Sequence, residues 1–216
     1  MNKDNKYISL HLHTTKGSIG DSILDIDDYI EKAKQLGLKA LSITNHGSMA
    51  DCFEFYQKCK DNNIKPIIGC EVYIDPIQDN NEDENKTRKE SDHLVLIAIN
   101  KKGFYNLLKI HNDAQLNGFY YKPRTNINIL KQYNEGIIAS TACIGGTLPK
   151  MILDFAYNNT EEEKDYEQVQ KDIIDYINEY KGIFKNRFYS EIQPGNFEKQ
   201  QIVNEVLIDF LSLNYF

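Results

Sequence analysis

The sequence contains no apolar run close to the roughly 20 residues that a helix needs to cross a bilayer. Its first six residues are polar and no apolar stretch follows them, which predicts that there is no signal peptide. The four cysteines, Cys52, Cys59, Cys70 and Cys143, form no C-x-x-C pair and no spacing typical of disulfides. These absences favour a protein of the reducing cytoplasm that has no membrane partner.

An excess of basic residues is also missing, since the formal net charge is −7. This balance argues against tight, non-specific binding to nucleic acid, which requires basic surface to neutralise phosphates. A metal site that holds a phosphate locally remains compatible with it, because bound cations dominate the field around them. No internal repeat and no linker rich in Pro, Gly or Ser interrupts the 216 residues, so we expect one domain.

What the sequence does contain is an alternation of short apolar strands and amphipathic helices. Asp25 and Gly37 are predicted to cap the first helix, and Ser48 to begin the second. A polar, mostly acidic stretch at 75–92 is predicted to be a loop. The alternation predicts an α/β protein with a mainly parallel sheet, either a barrel or a doubly wound sheet. The predicted strands cover residues 7–13, 39–44, 65–73, 93–99, 137–140 and 187–192.

Two histidines end the first predicted strand, in the sequence Leu10-His11-Leu12-His13. Side chains on a strand alternate between faces, so His11 and His13 should point the same way. Histidine is the commonest metal ligand, and two converging imidazoles suit a metal site. Two histidines on a solvated strand face explain the pair equally well. The choice depends on whether further ligands follow later strands.

Further side chains of the ligand type do follow later strands, where the functional residues of parallel α/β folds gather. His46 follows the second strand, Glu71 lies near the end of the third, and Cys143 follows the fifth. Asp21 lies in the loop after the first strand, whereas His93 opens the fourth and is not nominated by strand geometry. This mixture of donors is typical of zinc, manganese or iron sites. Asp21 could instead cap a turn, and Cys143 could be a small buried residue.

Four of the histidines and Glu71 lie within an ordered series of longer motifs along nearly the whole chain. With this series the chain resembles the N-terminal PHP (polymerase and histidinol phosphatase) domain of bacterial DNA polymerase III alpha subunits. The resemblance implies an α/β fold, a distorted (βα)7 TIM-like barrel with a site for up to three metal ions, zinc or manganese. The motifs include His11-Leu12-His13, Thr44-Asn45-His46-Gly47, residues 64–73 (IKPIIGCEVY), residues 118–124 (GFYYKPR) and residues 188–193 (FYSEIQ). The ligands that it implies by position are His11, His13, Asp21, His46, Glu71, His93 and Cys143.

The resemblance also implies an activity and partners. Some family members are metal-dependent 3′→5′ exonucleases, and in others degraded ligands leave a structural domain. All seven positions here keep side chains that can bind metal, which favours a metal site. The local chemistry that the resemblance implies is phosphodiester hydrolysis at a DNA primer end, reached through the parent polymerase and its replisome subunits. Lys122, Arg124 and Tyr121 would hold a phosphate and stack on a base at the entrance, although a partly packed surface loop explains them equally well. A non-catalytic module bracing the polymerase and a free-standing phosphatase of small monoesters are the alternatives.

Three departures from the family pattern bear on these expectations. Asn45 stands where the family usually has Asp, which removes a supporting carboxylate. The spacing from His13 to Asp21 is one residue longer than is common. The family supplies two more ligands, an Asp and a His, on a seventh strand that would begin near Phe216. We therefore expect residues 1–216 to form a PHP domain that is incomplete at its C-terminus, without the polymerase palm, fingers and thumb.

Overall fold

The computed structural model describes residues 7–75, 91–158 and 166–212 of the chain. Seven strands and seven α-helices lie within these three ranges. The strands are β1 (Ala40–Ile43), β2 (Lys65–Ile74), β3 (Asp92–Ala98), β4 (Phe119–Tyr120), β5 (Lys122–Thr125), β6 (Ile137–Ser140) and β7 (Phe188–Tyr189). The helices are α1 (Ile26–Leu36), α2 (Cys52–Asp61), α3 (Lys101–Leu116), α4 (Ile127–Tyr133), α5 (Thr147–Asn158), α6 (Tyr166–Phe184) and α7 (Glu198–Ser212).

The strands form one mixed sheet in the order β4-β5-β2-β3-β6-β7, with β1 paired to the first half of β2. Strand β3 runs antiparallel to both of its neighbours, β2 and β6, so the prediction of a mainly parallel sheet is wrong. Antiparallel neighbours need no crossover helix. The predicted loop at 75–92 already lacks a helical pattern, although its residues 76–90 lie outside the described part of the chain.

The predicted first strand is absent, because residues 7–13 form an irregular segment with a bend at Leu10 and His11. Side-chain hydroxyl groups take the place of most backbone hydrogen bonds that a strand would form with β1. The Leu12 amide donates to the Thr44 hydroxyl, and the Ser42 hydroxyl donates to the Ser9 carbonyl. One backbone bond, from the Thr44 amide to the Leu12 carbonyl at 2.8 Å, anchors the segment beside β1. The segment therefore follows the sheet edge without joining it as a strand.

The helix signals have mixed outcomes. Asp25 forms a capping box with Asp28 at the start of α1, and Gly37 ends the helix with φ +69°, as predicted. The prediction for Ser48 is wrong, because α2 begins at Cys52 and the Ser48 hydroxyl accepts a hydrogen bond from the Ala50 amide in the preceding turn.

Three hydrophobic clusters lie in the described part of the chain, the smallest of them formed by Val95, Ile97 and Ala142. The largest packs α1, α2, α3, α4 and the end of α6 against β1, β2, β3 and β6. The second lies between α5, α6 and α7. The segment after β7 reaches the 7–13 segment, where Glu191 contacts His11, so the two outer parts of the sheet are joined as in a distorted barrel. None of the helices in the described ranges combines the length and the apolar character needed to cross a membrane.

Candidate metal centre

Glu71 lies at the centre of a cluster of four histidines. Its side chain is 0% exposed. Its Oε2 lies 3.0 Å from His11 Nε2, 3.1 Å from His13 Nε2 and 2.9 Å from His46 Nδ1. Its Oε1 lies 3.0 Å from His93 Nδ1. The structure thus gathers four imidazoles around one buried carboxylate, and His11 and His13 point to the same side as their spacing predicted.

The backbone places these side chains at one end of the sheet. His46 follows β1 and forms a parallel bridge with Glu71 near the end of β2, where the Glu71 amide donates to the Asn45 carbonyl. His93 stands opposite Tyr73, two residues beyond Glu71 on β2. Because β3 is antiparallel, its first residues lie beside the last residues of β2. The antiparallel direction of β3 therefore brings His93 into the cluster. If all strands were parallel, His93 would lie at the opposite end of the sheet.

Asp21 and Cys143 lie at the margins of the cluster. The Nε2 of His46 donates to Asp21 Oδ2 at 2.9 Å, and the Asp21 side chain is 54% exposed. The Sγ of Cys143 lies 3.5 Å from Glu71 Oε1 and 3.6 Å from His93 Nδ1. Ala142, just before the cysteine, has φ +60°, a left-handed conformation that is costly for a non-glycine residue. All seven residues predicted as ligands therefore lie in or beside one cluster.

The contacts within the cluster shift the pKa values of its own members. Burial alone would raise the pKa of Glu71, but its contacts with the histidines hold that pKa far below the usual range. Burial lowers the pKa of His11, yet the carboxylates of Glu191 and Glu71 outweigh it and raise the pKa to about 10. The pKa of His46 is raised in the same way against the effect of burial, mainly by Glu71. Burial also raises the pKa of the Cys143 thiol to about 12.

Two atoms at the centre fit a metal ion better than a hydrogen bond. His46 Nδ1 and Glu71 Oε2 lie 2.9 Å apart without hydrogen-bond geometry, and neither has a hydrogen-bond partner within residues 7–75, 91–158 and 166–212. Buried polar atoms are normally paired. Donor atoms that share a tetrahedral zinc lie roughly 3.4 Å apart, given zinc–ligand distances of roughly 2.1 Å, which is more than the 2.9 Å between these two atoms. The lack of hydrogen-bond partners among the described residues and the nitrogen–oxygen donor set therefore fit a divalent metal ion.

Three overlapping groups among the described residues could each hold an ion, with their donor atoms within 4.8 Å of one another. They share His13, His46 and Glu71, each of which belongs to two groups. The groups are His11-His13-Glu71, His13-Asp21-His46 and His46-Glu71-His93.

Glu191 is the functional candidate that the sequence interpretation missed. Its Oε1 accepts a 2.6 Å hydrogen bond from His11 Nδ1, on the side of the ring away from Glu71. A signal was present, because Glu191 lies just after β7, as Glu71 and Cys143 lie at or after the ends of β2 and β6. The motif 188–193 contributes to the resemblance, which implies no ligand-orienting role for any of its residues.

The predicted entrance residues separate into two groups. The Lys122 ammonium lies 4.4 Å from the centroid of the Tyr73 ring, which itself stacks on His46. Tyr121, at the turn of the β4–β5 hairpin, is 71% exposed. Arg124 is only 5% exposed, and its guanidinium donates to the Tyr120 carbonyl and lies over the Tyr120 ring. The placement of Arg124 favours a role in holding the hairpin.

Three of the known proteins that are similar to this chain carry the same name. A DNA polymerase III subunit alpha from Borreliella burgdorferi is 36% identical over 205 residues, which cover 95% of this chain and 17% of that protein. The Aquifex aeolicus protein of the same name is 36% identical over 214 residues, covering 97% and 17%. The Helicobacter pylori J99 protein is 38% identical over 216 residues, covering 95% and 16%. The chain thus spans about a sixth of the length of these relatives.

A solved structure and a family model agree on the fold. A candidate metal-dependent phosphoesterase from Bifidobacterium adolescentis superposes with a TM-score of 0.50 at 11% identity, over 96% of this chain and 84% of that one. This likeness and the PHP model together confirm the predicted TIM-like α/β barrel fold. The model of the PHP domain matches residues 9–195, which is most of the sequence. The chain therefore belongs to the PHP domain family.

Proposed function

We propose that this chain is the PHP domain of a bacterial DNA polymerase III alpha subunit, working in the cytoplasm beside the remaining polymerase domains and replisome subunits. Its local activity is metal-dependent phosphodiester hydrolysis, which removes nucleotides in the 3′→5′ direction from a DNA primer end. The observation that carries this proposal is the buried Glu71 carboxylate within 3.1 Å of nitrogen atoms from four histidines. The named relatives support the polymerase setting.

The metal would be held by the seven clustered residues, with up to three ions of zinc or manganese. Imidazole and carboxylate donors accept both metals, and the thiol of Cys143 favours zinc. Bound divalent ions supply Lewis-acid chemistry, which neutralises phosphate charge and activates water. No side chain apart from the ligands is needed as a nucleophile. The proposed ligands are His11, His13, Asp21, His46, Glu71, His93 and Cys143.

The hairpin beside the cluster would receive the substrate. The Lys122 ammonium, stacked over Tyr73, is placed to attract a phosphate toward the histidines. The exposed ring of Tyr121 offers a surface on which a terminal base can stack. Arg124 contributes indirectly, by fixing the backbone of Tyr120 and with it the hairpin. A local positive charge matters here, because the chain as a whole carries a net charge of −7.

The test compares His13→Ala with His111→Gln, which alters the one histidine outside the cluster. Manganese-loaded full chain is incubated with a 3′-labelled primer, and released nucleotides and bound metal are measured. We expect His13→Ala to abolish release and His111→Gln to retain it. Undiminished release by His13→Ala would identify a contaminating nuclease. Bound metal without release from any variant would support the structural module, and hydrolysis of small monoesters alone would support the phosphatase.

A further inference from the structure

The His11 ring joins two carboxylates through its two nitrogens. Nε2 faces the cluster, 3.0 Å from Glu71 Oε2 and 3.1 Å from His13 Nε2. Nδ1 faces away from it and lies 2.6 Å from Glu191 Oε1. A ring that presents Nε2 to a metal must carry any proton of its neutral form on Nδ1. Glu191 is the acceptor placed at that proton.

The Glu191 carboxylate is itself held in place from several sides. Gln193 Nε2 donates to its Oε1 at 2.7 Å, and the Ser140 hydroxyl donates to its Oε2 at 2.8 Å. The Glu191 amide donates to the Thr141 hydroxyl at 3.0 Å. The side chain is therefore anchored to the end of β6, which carries Cys143 three residues further on. A carboxylate fixed in this way can fix the orientation of the ring that it contacts.

A direct ligand role for Glu191 does not fit the geometry. Its Oε1 lies on the Nδ1 side of His11, opposite to Glu71, and it belongs to none of the three groups with converging donor atoms in the described residues. Both carboxylate oxygens of Glu191 accept hydrogen bonds from neighbouring side chains, so its position is fixed more tightly than that of a carboxylate in a surface ion pair. The contact is thus built to orient an imidazole.

We propose that Glu191 is a positioning residue, which accepts the Nδ1 proton of His11 and so fixes the tautomer and ring orientation that present Nε2 to the metal. The hydrogen bond also makes Nε2 a stronger donor. This inference rests on the part of the proposed function in which the cluster binds metal, and it does not depend on hydrolysis. The same contact joins the segment beside β1 to the segment after β7, so metal binding and the closing of the barrel share one residue pair.

The experiment measures zinc affinity of the full chain by competition with a chromophoric chelator, for Glu191→Ala, Glu191→Gln and the control Glu205→Gln on the exposed face of α7. We expect Glu191→Ala to weaken zinc binding by roughly 10- to 100-fold, the usual effect of losing such a partner. Glu191→Gln should fall between Glu191→Ala and the unmodified chain, because an amide oxygen still accepts the proton. Glu205→Gln should bind as the unmodified chain does.

Nitrogen-15 NMR of the zinc-loaded chain supplies a second readout, since it reports which His11 nitrogen carries the proton. We expect an Nδ1 proton in the unmodified chain and its loss or exchange broadening in Glu191→Ala. Unchanged zinc affinity together with an unchanged His11 signal in Glu191→Ala would overturn the proposal. Should Glu191→Ala fail to fold, Glu191→Gln decides by its affinity relative to Glu205→Gln. An unmodified chain that binds zinc and releases no nucleotides would refute the hydrolytic activity alone.

Discussion

The metal-free protein should lose stability as the pH rises from 6.5 to about 10, because of the environment of His11. The carboxylates of Glu191 and Glu71 raise the pKa of this residue from 6.5 to about 10 in the folded chain. A pKa that is higher in the folded chain than in the unfolded chain contributes stability. This contribution is complete at a pH below the pKa of the unfolded chain and is lost as the pH rises through the pKa of the folded chain. At about 1.4 kcal/mol per pH unit, this span corresponds to about 5 kcal/mol of unfolding free energy. The side chain is 11% exposed, so solvent screens the contact little.

The assay is urea unfolding in the presence of a chelator, followed by circular dichroism at several pH values across this span. The change should be clearly smaller in His11→Gln, which lacks the His11 imidazole. The part that remains comes from His46, whose pKa is also raised. The whole change should persist in His111→Gln, since burial lowers the pKa of His111 and that residue is neutral throughout. Saturating zinc should also reduce it, because the metal binds neutral imidazole. Equal pH dependence in the unmodified chain and His11→Gln would refute the reasoning.

Two further perturbations test the centre of the cluster. Glu71→Gln leaves four imidazoles without their buried carboxylate. We expect this variant to lose bound zinc, and to lose about 3 kcal/mol of unfolding free energy as measured by urea titration. Zinc binding at the original affinity would contradict a ligand role for Glu71. Gly145→Ala would place a Cβ 2.9 Å from His93 Nδ1, so we expect about tenfold weaker zinc binding. Its control, Gly182→Ala in α6, meets open space and should leave zinc affinity unchanged, and a loss of affinity there would show that the assay reports general destabilisation.

The sequence predicted those elements whose signals are local. The capping box at Asp25 and the left-handed Gly37 define α1 by short-range geometry alone, and Ile137–Ser140 was predicted with its observed limits. The direction of β3 depends on how the chain returns after β2, which periodicity does not report. The predicted first strand is absent because its backbone bonds to the hydroxyls of Ser42 and Thr44, which no hydrophobic pattern reveals.

The candidate site was predictable where each ligand follows a strand. His93 needed the family resemblance, because its position at the start of a strand becomes meaningful only once that strand is antiparallel. Glu191 also follows a strand, but its contact with a residue 180 positions away, which orients a ligand instead of adding one, has no signal in the sequence. Arg124 had the residue type of a phosphate-binding group, yet burial turned its guanidinium toward the backbone of its own hairpin. Residue type and motif do not report such long-range contacts or burial.

Asn45 illustrates how a departure from a family pattern depends on its surroundings. In the sequence it removes a carboxylate next to His46. In the structure the side-chain oxygen of Asn45 accepts a hydrogen bond from the Thr14 backbone amide, and its side-chain nitrogen donates to the Thr14 hydroxyl. That hydroxyl in turn donates to the Asp51 carboxylate. An aspartate at this position could not donate, and it would bring a second buried negative charge to the same hydroxyl. The network therefore keeps its carboxylate at Asp51, and the amide of Asn45 orders the turn whose Ser18 hydroxyl contacts His13.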